Sequence, residues 1–382
     1  MDRTLEKRQT KKASPGGYLQ GLWEKLITQH VQGSESALQP RAPERADIGL
    51  PLIAARVAAI IEETRDTKSY LFTTELPLGN YKAGSHIHVE IASDEGVIRR
   101  TYTLSSSPKD ADTHSITVKR VKDGLASNWL FDHFRVGDAF KVSQPQGDFV
   151  LPYQPSGKLL LLSAGSGVTP VMSMLRYLAL TGNRSDIAFL HYAQSPEDII
   201  FHKEIMQLAG THPGVKPYFS VERMPSENVA PEIEQGRINQ AQLTRLVPDV
   251  MEREIYLCGP QPFMKATMEI LSSLDFNPTQ LHFENFTRDR SASTALGYQA
   301  DLTFSSIVKT VSSSSSKTIL EEAEAAGLKP QSACRMGICR TCRCKKQSGI
   351  TVNLVTGEQS TRDGDYILPC VSVAKTATTV EL

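Results

Sequence analysis

The chain has 382 residues, and its content of 40% hydrophobic and 22% charged residues is typical of a globular protein with two or three domains. Its 42 basic residues equal its 42 acidic residues, which argues against a chain-wide field for nucleic acid. No apolar run approaches the roughly 20 residues of a membrane span, and the first residues lack the apolar core of a secretory signal. We therefore expect a cytoplasmic protein, with any membrane association peripheral at the inner face.

Residues 1–50 are predicted to form an N-terminal extension with one amphipathic helix. The apolar residues that recur there at helical spacing are Leu19, Leu22, Trp23, Leu26, Ile27 and Val31. Such a stripe usually buries against the rest of a protein, which is the simpler interpretation. The alternative is a docking surface for a membrane or a partner protein.

Residues 51–154 contain short strands of alternating polar and apolar residues that are separated by turns. This pattern predicts a small antiparallel β-barrel or a sandwich, and we favour the barrel. From residue 155 to 278, continuous apolar runs such as KLLLLSAG alternate with helical stretches. Buried runs between helices predict a doubly wound α/β domain with a parallel sheet.

The rest of the chain is predicted to hold a linker and a third domain. Residues 279–299 are polar and are interpreted as the linker. Residues 300–382 begin with a strand pattern and a helix that ends at Gly327. Five consecutive serines, residues 312–316, predict a loose hairpin turn or an edge strand, with a flexible linker as the alternative.

The first candidate site lies in the predicted barrel. A strand there contains Arg100, Thr101, Tyr102 and Thr103. An arginine can pair with phosphate, a tyrosine can lie against a flat ring, and a hydroxyl can reach a ring nitrogen. Lys119 lies in the next predicted strand, HSITVKRV, and is a further candidate for binding a cofactor.

A probable helix start follows that strand. Its residues are Gly124, Leu125, Ala126 and Ser127. Bare backbone N–H groups at a helix start, together with a serine hydroxyl, suit a pyrophosphate. The alternative is an ordinary capped helix.

A second candidate site begins where the run LLLLS ends. Gly165 and Gly167 would let the backbone approach a ligand closely. We expect Thr169 to cap the following helix and Pro170 to occupy its first position. The third glycine of the usual dinucleotide fingerprint is absent.

The third motif consists of Cys258, Gly259 and Pro260, which follow a predicted strand. Ligands of α/β sheets bind at the carboxyl ends of the strands, so this position indicates a binding site. The alternative is that Cys258 is only a small buried hydrophobic residue.

In this order, the three motifs resemble the ferredoxin–NADP reductase superfamily over residues 53–275. The resemblance implies that the barrel residues hold the flavin and pyrophosphate of FAD, and that the glycine loop and the Cys-Gly-Pro segment hold the nicotinamide nucleotide. It also implies that Glu284 and Phe286 face the flavin where the nicotinamide arrives. The catalytic candidates are therefore Thr103, which would tune flavin N5, Cys258, which would shape the nicotinamide approach, Glu284 and Phe286.

A cluster of cysteines lies near the C-terminus. Cys334, Cys339 and Cys342 have the spacing C-x4-C-x2-C, and Cys370 follows after 27 further residues. This is the spacing of a plant-type 2Fe-2S cluster, whereas zinc would favour paired C-x2-C units or histidines. Cys344 is too close to Cys342 to share the cluster and is predicted not to be a ligand. The segment from 300 to 382 resembles a plant-type ferredoxin domain, which has an α+β β-grasp fold.

The three predicted domains form one electron path. NAD(P)H would supply a hydride to FAD, and the 2Fe-2S cluster would pass single electrons to a partner protein. The domain order and motif wording resemble bacterial reductases that serve membrane di-iron fatty acyl-CoA desaturases. The alternatives are a reductase component for a Rieske-type or soluble di-iron oxygenase, and a redox sensor that does not turn over. We expect a monomer.

Two expectations concern specificity. The residues Gln194, Ser195, Glu197 and Asp198 follow the second α/β strand without a cation, which favours NADH, although Arg223 could reach a 2′-phosphate. A basic rim around the cluster is predicted from Arg335, Arg340, Arg343, Lys345 and Lys346. Such a rim could dock an acidic partner, with a merely solvated surface as the alternative.

Overall fold

The structure is a computed structural model, and it describes residues 52–93, 96–110, 113–122, 124–155, 157–225, 230, 232–286, 296–332, 335, 337, 341–354 and 357–382. The predicted helix within residues 1–50 lies outside this part of the chain, as do Cys334, Cys339 and Arg340. Among the described helices, none is long and apolar enough to span a membrane.

The first unit is an antiparallel barrel. Its strands are β1 (Ile53–Thr64), β2 (Thr67–Thr74), β3 (His86–Ser93), β4 (Gly96–Thr103), β5 (His114–Lys119) and β6 (Ala139–Val142), with one helix, α1 (Leu125–His133). The sheet order is β4-β3-β6-β1-β2-β5, and a bridge between Leu104 and Ile116 joins its two edges. Alternate residues point inward, so Tyr70 and Phe72 are both fully buried.

The second unit is a six-stranded parallel sheet between helices. Its strands are β7 (Lys158–Ala164), β8 (Asp186–Ala193), β9 (Val215–Val221), β10 (Ile233–Gln235), β11 (Glu254–Cys258) and β12 (Leu281–Glu284). Its helices are α2 (Val168–Leu180), α3 (His202–Thr211), α4 (Gln240–Leu246) and α5 (Gln261–Ser273). Leu159 and Leu161 enter the core on one face, while Leu160 and Leu162 enter the core on the other. Burial on both faces explains the continuous apolar run.

The strand order β10-β9-β8-β7-β11-β12 places the topological switch between β7 and β11. The glycine loop and the Cys-Gly-Pro segment therefore emerge side by side at one edge of the sheet. β12 pairs with β11 inside the range that the sequence assigned to a linker. Its four residues are mostly half-buried, so they lack the apolar run that marks the other strands.

The third unit is an α+β domain with two sheets and one described helix, α6 (Ile319–Ala325). Its strands are β13 (Gln299–Phe304), β14 (Lys309–Ser314), β15 (Cys344–Ser348), β16 (Thr351–Asn353), β17 (Gln359–Ser360), β18 (Tyr366–Ile367), β19 (Ser372–Ala374) and β20 (Thr378–Val380). The sheet orders are β14-β13-β20-β15-β18 and β17-β16-β19. The serine run therefore begins within the edge strand β14, as expected for an edge strand rather than a flexible linker. The three units confirm the predicted multidomain fold class.

Candidate functional site

A cavity of about 390 Å³ lies where the barrel meets the carboxyl edge of the parallel sheet. Twelve predicted site residues line it: Arg100, Thr101, Tyr102, Thr103, Lys119, Gly124, Leu125, Ala126, Ser127, Thr169, Glu284 and Phe286. Five unpredicted residues also line it: His86, Thr117, Val118, Val121 and Ser166. Residues from three motifs far apart in the sequence thus share one cavity.

The barrel wall of the cavity is formed by the paired strands β3 and β4. Thr103 stands directly opposite His86 in this pair, and both residues are buried. The Arg100 guanidinium donates to the Arg99 carbonyl at 2.7 Å. Burial, and then the nearby Arg335 of the third unit, lower the pKa of Arg100 from its usual range. The cluster loop and the barrel wall are therefore electrostatic neighbours.

The start of α1 forms another side of the cavity. Gly124 is the N-cap residue and has no side chain to cap the first N–H groups. The Ser127 hydroxyl accepts from the Val121 amide at 3.2 Å, and a Cβ on Gly124 would lie 2.6 Å from that hydroxyl oxygen. Lys119 is held by both carboxylate oxygens of Asp66, at 2.6 and 2.7 Å. The loop is therefore shaped by its own contacts, and its residues Gly124 to Ser127 line the cavity.

At the carboxyl edge of the parallel sheet, a 3₁₀ turn over Gly165–Gly167 runs directly into α2. A Cβ on Gly167 would lie 2.3 Å from the carbonyl oxygen of Cys258 and 2.6 Å from the amide nitrogen of Gly259. The two predicted nucleotide segments therefore touch backbone to backbone, and Gly167 is the reason that they can.

The expected capping at this turn is wrong in detail. α2 begins at Val168 with Gly167 as its N-cap, because the chain is already helical through the preceding turn. Thr169 lies inside the helix and donates its hydroxyl to the Ser166 carbonyl at 3.0 Å. Pro170 is buried one position further along, and Pro260 takes the N-cap position of α5.

Glu284 and His86 face each other across the cavity. His86 Nδ1 and Glu284 Oε1 are 3.8 Å apart, and the two side chains are 4% and 10% exposed. Burial raises the pKa of Glu284 to about 8. Burial, and then His88, lower the pKa of His86 to about 4. Near neutral pH the carboxyl is therefore mostly protonated and the imidazole is neutral.

Two polar atoms in this pair have no hydrogen-bond partner among the described residues. They are His86 Nε2 and Glu284 Oε2, and both are buried. A buried polar atom without a partner costs about 1–3 kcal/mol, so such atoms indicate a missing ligand or water. A flat ring system with polar edge atoms, such as the flavin implied by the resemblance, fits a cavity with this lining.

Cys258 does not line the cavity. It is fully buried at the end of β11, beside Ser163 on β7 and Glu284 on β12. Burial, and then Glu284, raise the pKa of its thiol well above the usual range. The thiol is therefore protonated and lies behind the cavity wall, and its predicted catalytic role stays a prediction.

Two predicted cluster ligands are described, and they are close-packed together. Cys342 and Cys370 are buried in one apolar group with Leu320 and Val371. Cys344 instead enters the main core of the third unit, which contains Leu302 and Phe304. Burial, and then Cys342, raise the pKa of the Cys344 thiol. Cys342 and Cys344 therefore belong to different packing environments, and the assignment of Cys342 alone as a ligand stays a prediction.

The predicted basic rim needs a correction. Lys346 is fully buried, and its ammonium group donates to the carbonyls of Gly349 and Arg362 at 2.6 and 2.7 Å. The Arg335 guanidinium forms an ion pair with Glu324. Arg343 lies over the Tyr366 ring, 4.1 Å from its centroid. Of the four described cations, Arg343 and Lys345 remain as the candidates for a docking charge.

His86 is the main site residue that the sequence did not predict. It lies at the start of the strand HIHVEIAS, in which alternate residues face the barrel interior. A register alignment of that strand with RRTYT would have placed His86 against Thr103. Its contact with Glu284 joins residues 198 positions apart, which no local pattern records.

Replacing Thr103 by Val tests the hydroxyl at the cavity wall. The shape is nearly unchanged, so the loss concerns one hydrogen bond, worth about 1.5 kcal/mol at most. We expect flavin reduction by NADH in stopped flow to slow by up to about tenfold. An unchanged rate with full flavin content would remove Thr103 from the catalytic set.

Family models match all three units. The oxidoreductase FAD-binding domain matches residues 54–151, and the oxidoreductase NAD-binding domain matches residues 161–269. The 2Fe-2S iron-sulfur cluster binding domain matches residues 306–375. Each match covers the unit in which the corresponding motif was found.

Curated relatives share this arrangement over most of their length. The glycine betaine monooxygenase reductase subunit of Chromohalobacter salexigens is 36% identical over 347 residues, which cover 85% of this chain and 94% of that protein. The ferredoxin reductase component of 3-ketosteroid-9-alpha-monooxygenase from Mycobacterium tuberculosis is 31% identical over 348 residues, with the same two coverages. The crystal structure of phthalate dioxygenase reductase matches with a TM-score of 0.60 and 25% identity, covering 87% of this chain and 98% of that one.

Proposed function

We infer the function from one premise: the chain belongs to the family of oxidoreductases that join an FAD-binding, an NAD-binding and a 2Fe-2S domain. We propose that it takes electrons from NADH and delivers them singly to an oxygenase, as its reductase component. The single observation that carries this proposal is the shared cavity, in which the barrel motif, the turn after β7 and Glu284 meet.

The residues around the cavity have distinct tasks in this proposal. The start of α1 would bind the FAD pyrophosphate with backbone N–H groups, and Tyr102 and Thr103 would orient the flavin. The turn at Gly167 and the segment after β11 would hold the nicotinamide nucleotide. When bound, FAD supplies the exchange between a two-electron hydride donor and a one-electron acceptor. Phe286 packs on the α/β core and lines the cavity, where its ring would help to exclude water.

The cysteine thiolates would hold the cluster at the exit of this path. The buried pair Cys342 and Cys370 supplies soft ligands in an apolar setting, as a 2Fe-2S cluster requires. We assign the remaining two ligands to Cys334 and Cys339 on their spacing. The charge of Arg335 helps to lower the pKa of Arg100, which is compatible with electron transfer from the flavin side of the barrel toward the cluster loop.

The partner is proposed to be an oxygenase rather than a membrane fatty acyl desaturase. Two relatives are named as reductase parts of monooxygenases, and the matching structure is a dioxygenase reductase. The desaturase that the motif wording favoured has no support in these names. Mixing the purified chain and NADH with a Rieske-type oxygenase, or with a desaturase in vesicles, distinguishes the two by product formation.

A simpler assay tests the reductase function itself. The chain with both cofactors bound should reduce cytochrome c with NADH as the donor. A preparation with full FAD and iron content that reduces no acceptor would contradict turnover and would favour the redox sensor.

NADH is proposed as the preferred donor. Residues 194–198, after β8, include no cation of their own; Asp198 is buried there, accepts from the Ser195 hydroxyl at 2.8 Å and lies 3.4 Å from the Arg65 guanidinium of the barrel. Arg223 is nearby, since its guanidinium donates to the Gln194 side chain at 3.3 Å, but the acidic residue Glu222 directly precedes it. We expect kcat/KM to be higher for NADH than for NADPH. Equal values, lowered for NADPH alone by Arg223→Ala, would show that Arg223 binds the 2′-phosphate.

A further inference from the structure

The two proposed cofactor sites lie on different units, so their separation depends on contacts between the units. Hydride transfer requires reacting atoms about 3–3.5 Å apart, and a misplacement of about 1 Å can lower the rate on the order of 100-fold. The flavin would be oriented by Thr103 at the end of β4, whereas the nicotinamide nucleotide would be held at the turn that begins α2. The contacts between α2 and the loop that follows β4 can therefore set the geometry of the reaction.

Ser173 joins the middle of α2 to the barrel. Its side chain is fully buried, and its hydroxyl donates to the Ser106 carbonyl at 2.7 Å. The Gly84 amide donates to the same hydroxyl at 3.4 Å, so Ser173 bonds to two separate segments of the barrel. Gly84 leaves no room for a side chain, because a Cβ there would lie 2.3 Å from the Phe149 carbonyl oxygen and 2.8 Å from the Met174 methyl group. The barrel and α2 are therefore in close contact at this point.

Arg176 makes a second connection, about one turn further along α2. Its guanidinium donates to the Ser105 carbonyl at 2.6 Å, and to the two carboxylate oxygens of Glu204 on α3 at 2.7 and 2.6 Å. It also lies over the Phe201 ring, 4.8 Å from the ring centroid. Only 18% of the Arg176 side chain is exposed, and three groups hold its planar head in place. Arg176 therefore fixes α2 both to its own unit and to the barrel.

The two barrel carbonyls that accept these bonds lie directly after the strand of the flavin site. Ser105 is two residues beyond Thr103, and Ser106 follows it. The Ser105 hydroxyl is 2.8 Å from the hydroxyls of Ser115 and Thr117, and Thr117 lines the flavin cavity. A shift of α2 relative to this loop would therefore move the nicotinamide turn relative to the residues that orient the flavin.

We propose that Ser173 and Arg176 are positioning residues, which hold the helix of the nicotinamide site against the strand of the flavin site at the distance that hydride transfer requires. The inference rests on the proposed function, since it assumes that NADH reduces FAD in the shared cavity. Neither of these two residues lines that cavity. They therefore act on the reaction through the turn at Gly167 and through Thr103.

The test uses the full chain with FAD and cluster bound, in the variants Ser173→Ala and Arg176→Met. Flavin reduction is followed in stopped flow over a range of NADH concentrations, which separates the limiting rate from NADH binding. We expect the limiting rate to fall on the order of 10-fold in Ser173→Ala and 100-fold in Arg176→Met, with NADH binding changed less than about threefold. The long-wavelength absorbance of the NADH–flavin complex should fall with the rate. A loss of stability alone would not change this absorbance in protein with full FAD content.

Arg245→Met is the matched control. Arg245 also forms a two-pronged ion pair inside the second unit, with the Glu234 carboxylate at 2.7 and 2.6 Å. Its side chain is 60% exposed, and this pair joins α4 to β10 rather than to the barrel. We expect flavin reduction in Arg245→Met to keep the wild-type limiting rate and the wild-type absorbance of the NADH–flavin complex.

Arg176→Lys is the conservative variant. It keeps the charge, but one ammonium group cannot reproduce the guanidinium fork, so we expect a limiting rate between those of the wild type and Arg176→Met. Arg176→Lys and Ser173→Ala decide the matter if Arg176→Met does not retain FAD. Wild-type limiting rates in these variants, or a slowing that comes only from weaker NADH binding, would overturn the positioning role alone. A wild-type protein whose flavin NADH does not reduce would instead overturn the proposed function.

Discussion

Cys342→Ser is expected to abolish the visible absorption of the 2Fe-2S cluster and, with it, cytochrome c reduction. Cys342 is buried beside Cys370 in an apolar group, so a serine hydroxyl there replaces a soft thiolate ligand and also buries a polar group. The flavin cavity is lined by residues of the other two units and should remain intact. NADH-dependent reduction of ferricyanide, which takes electrons directly from flavin, should therefore persist. The measurement is the visible spectrum together with both acceptor assays.

Cys344→Ser is the matched control, two residues along the chain. Cys344 packs in the main core of the third unit, so its substitution costs about 1–3 kcal/mol for the buried hydroxyl but removes no ligand. The cluster spectrum should survive while the unfolding temperature falls. A lost spectrum in Cys344→Ser together with an intact one in Cys342→Ser would reverse the ligand assignment.

The main elements of the fold were predictable because their signals are local. The run Leu159–Leu162 has one leucine pair for each face of the sheet, and this double burial produces the continuous apolar pattern. β12 lacked such a signal, because it is a four-residue strand with mostly half-buried residues. Its place in the sheet depends on pairing with β11, which is a long-range contact.

Most of the cavity lining was predictable from its motifs, whereas His86 was missed for a physical reason. His86 gains its importance from Glu284, which reaches it from a different unit. The prediction of a basic rim was wrong for Lys346 for a related reason. The sequence gives the charge of each side chain but not the direction in which that side chain points. Lys346 alternates inward along β15, and its carbonyl partners neutralise the cost of burial.

The meeting of the two nucleotide segments leads to the second large effect. Gly167 approaches the backbone of Cys258 and Gly259. A Cβ on Gly165, in contrast, would meet no atom within 4 Å. Glycine is favoured at position 165 only because its backbone is left-handed, with a φ of 52°. Gly259 is intermediate, because a Cβ there would meet the Phe263 ring at 2.8 Å, and a ring can move. Alanine at the three positions therefore forms a graded series.

Gly167→Ala is expected to slow flavin reduction by NADH on the order of 100-fold, because its methyl group would force two backbone segments apart by about an ångström. FAD content should be retained, since most of the cavity lining belongs to the barrel. Gly165→Ala should cost about 1–2 kcal/mol of stability with a smaller change in rate, and Gly259→Ala should fall between them. Stopped-flow reduction and FAD content measured for all three variants check the order. Equal rates in Gly165→Ala and Gly167→Ala would show that the contact between the two segments does not position the nicotinamide.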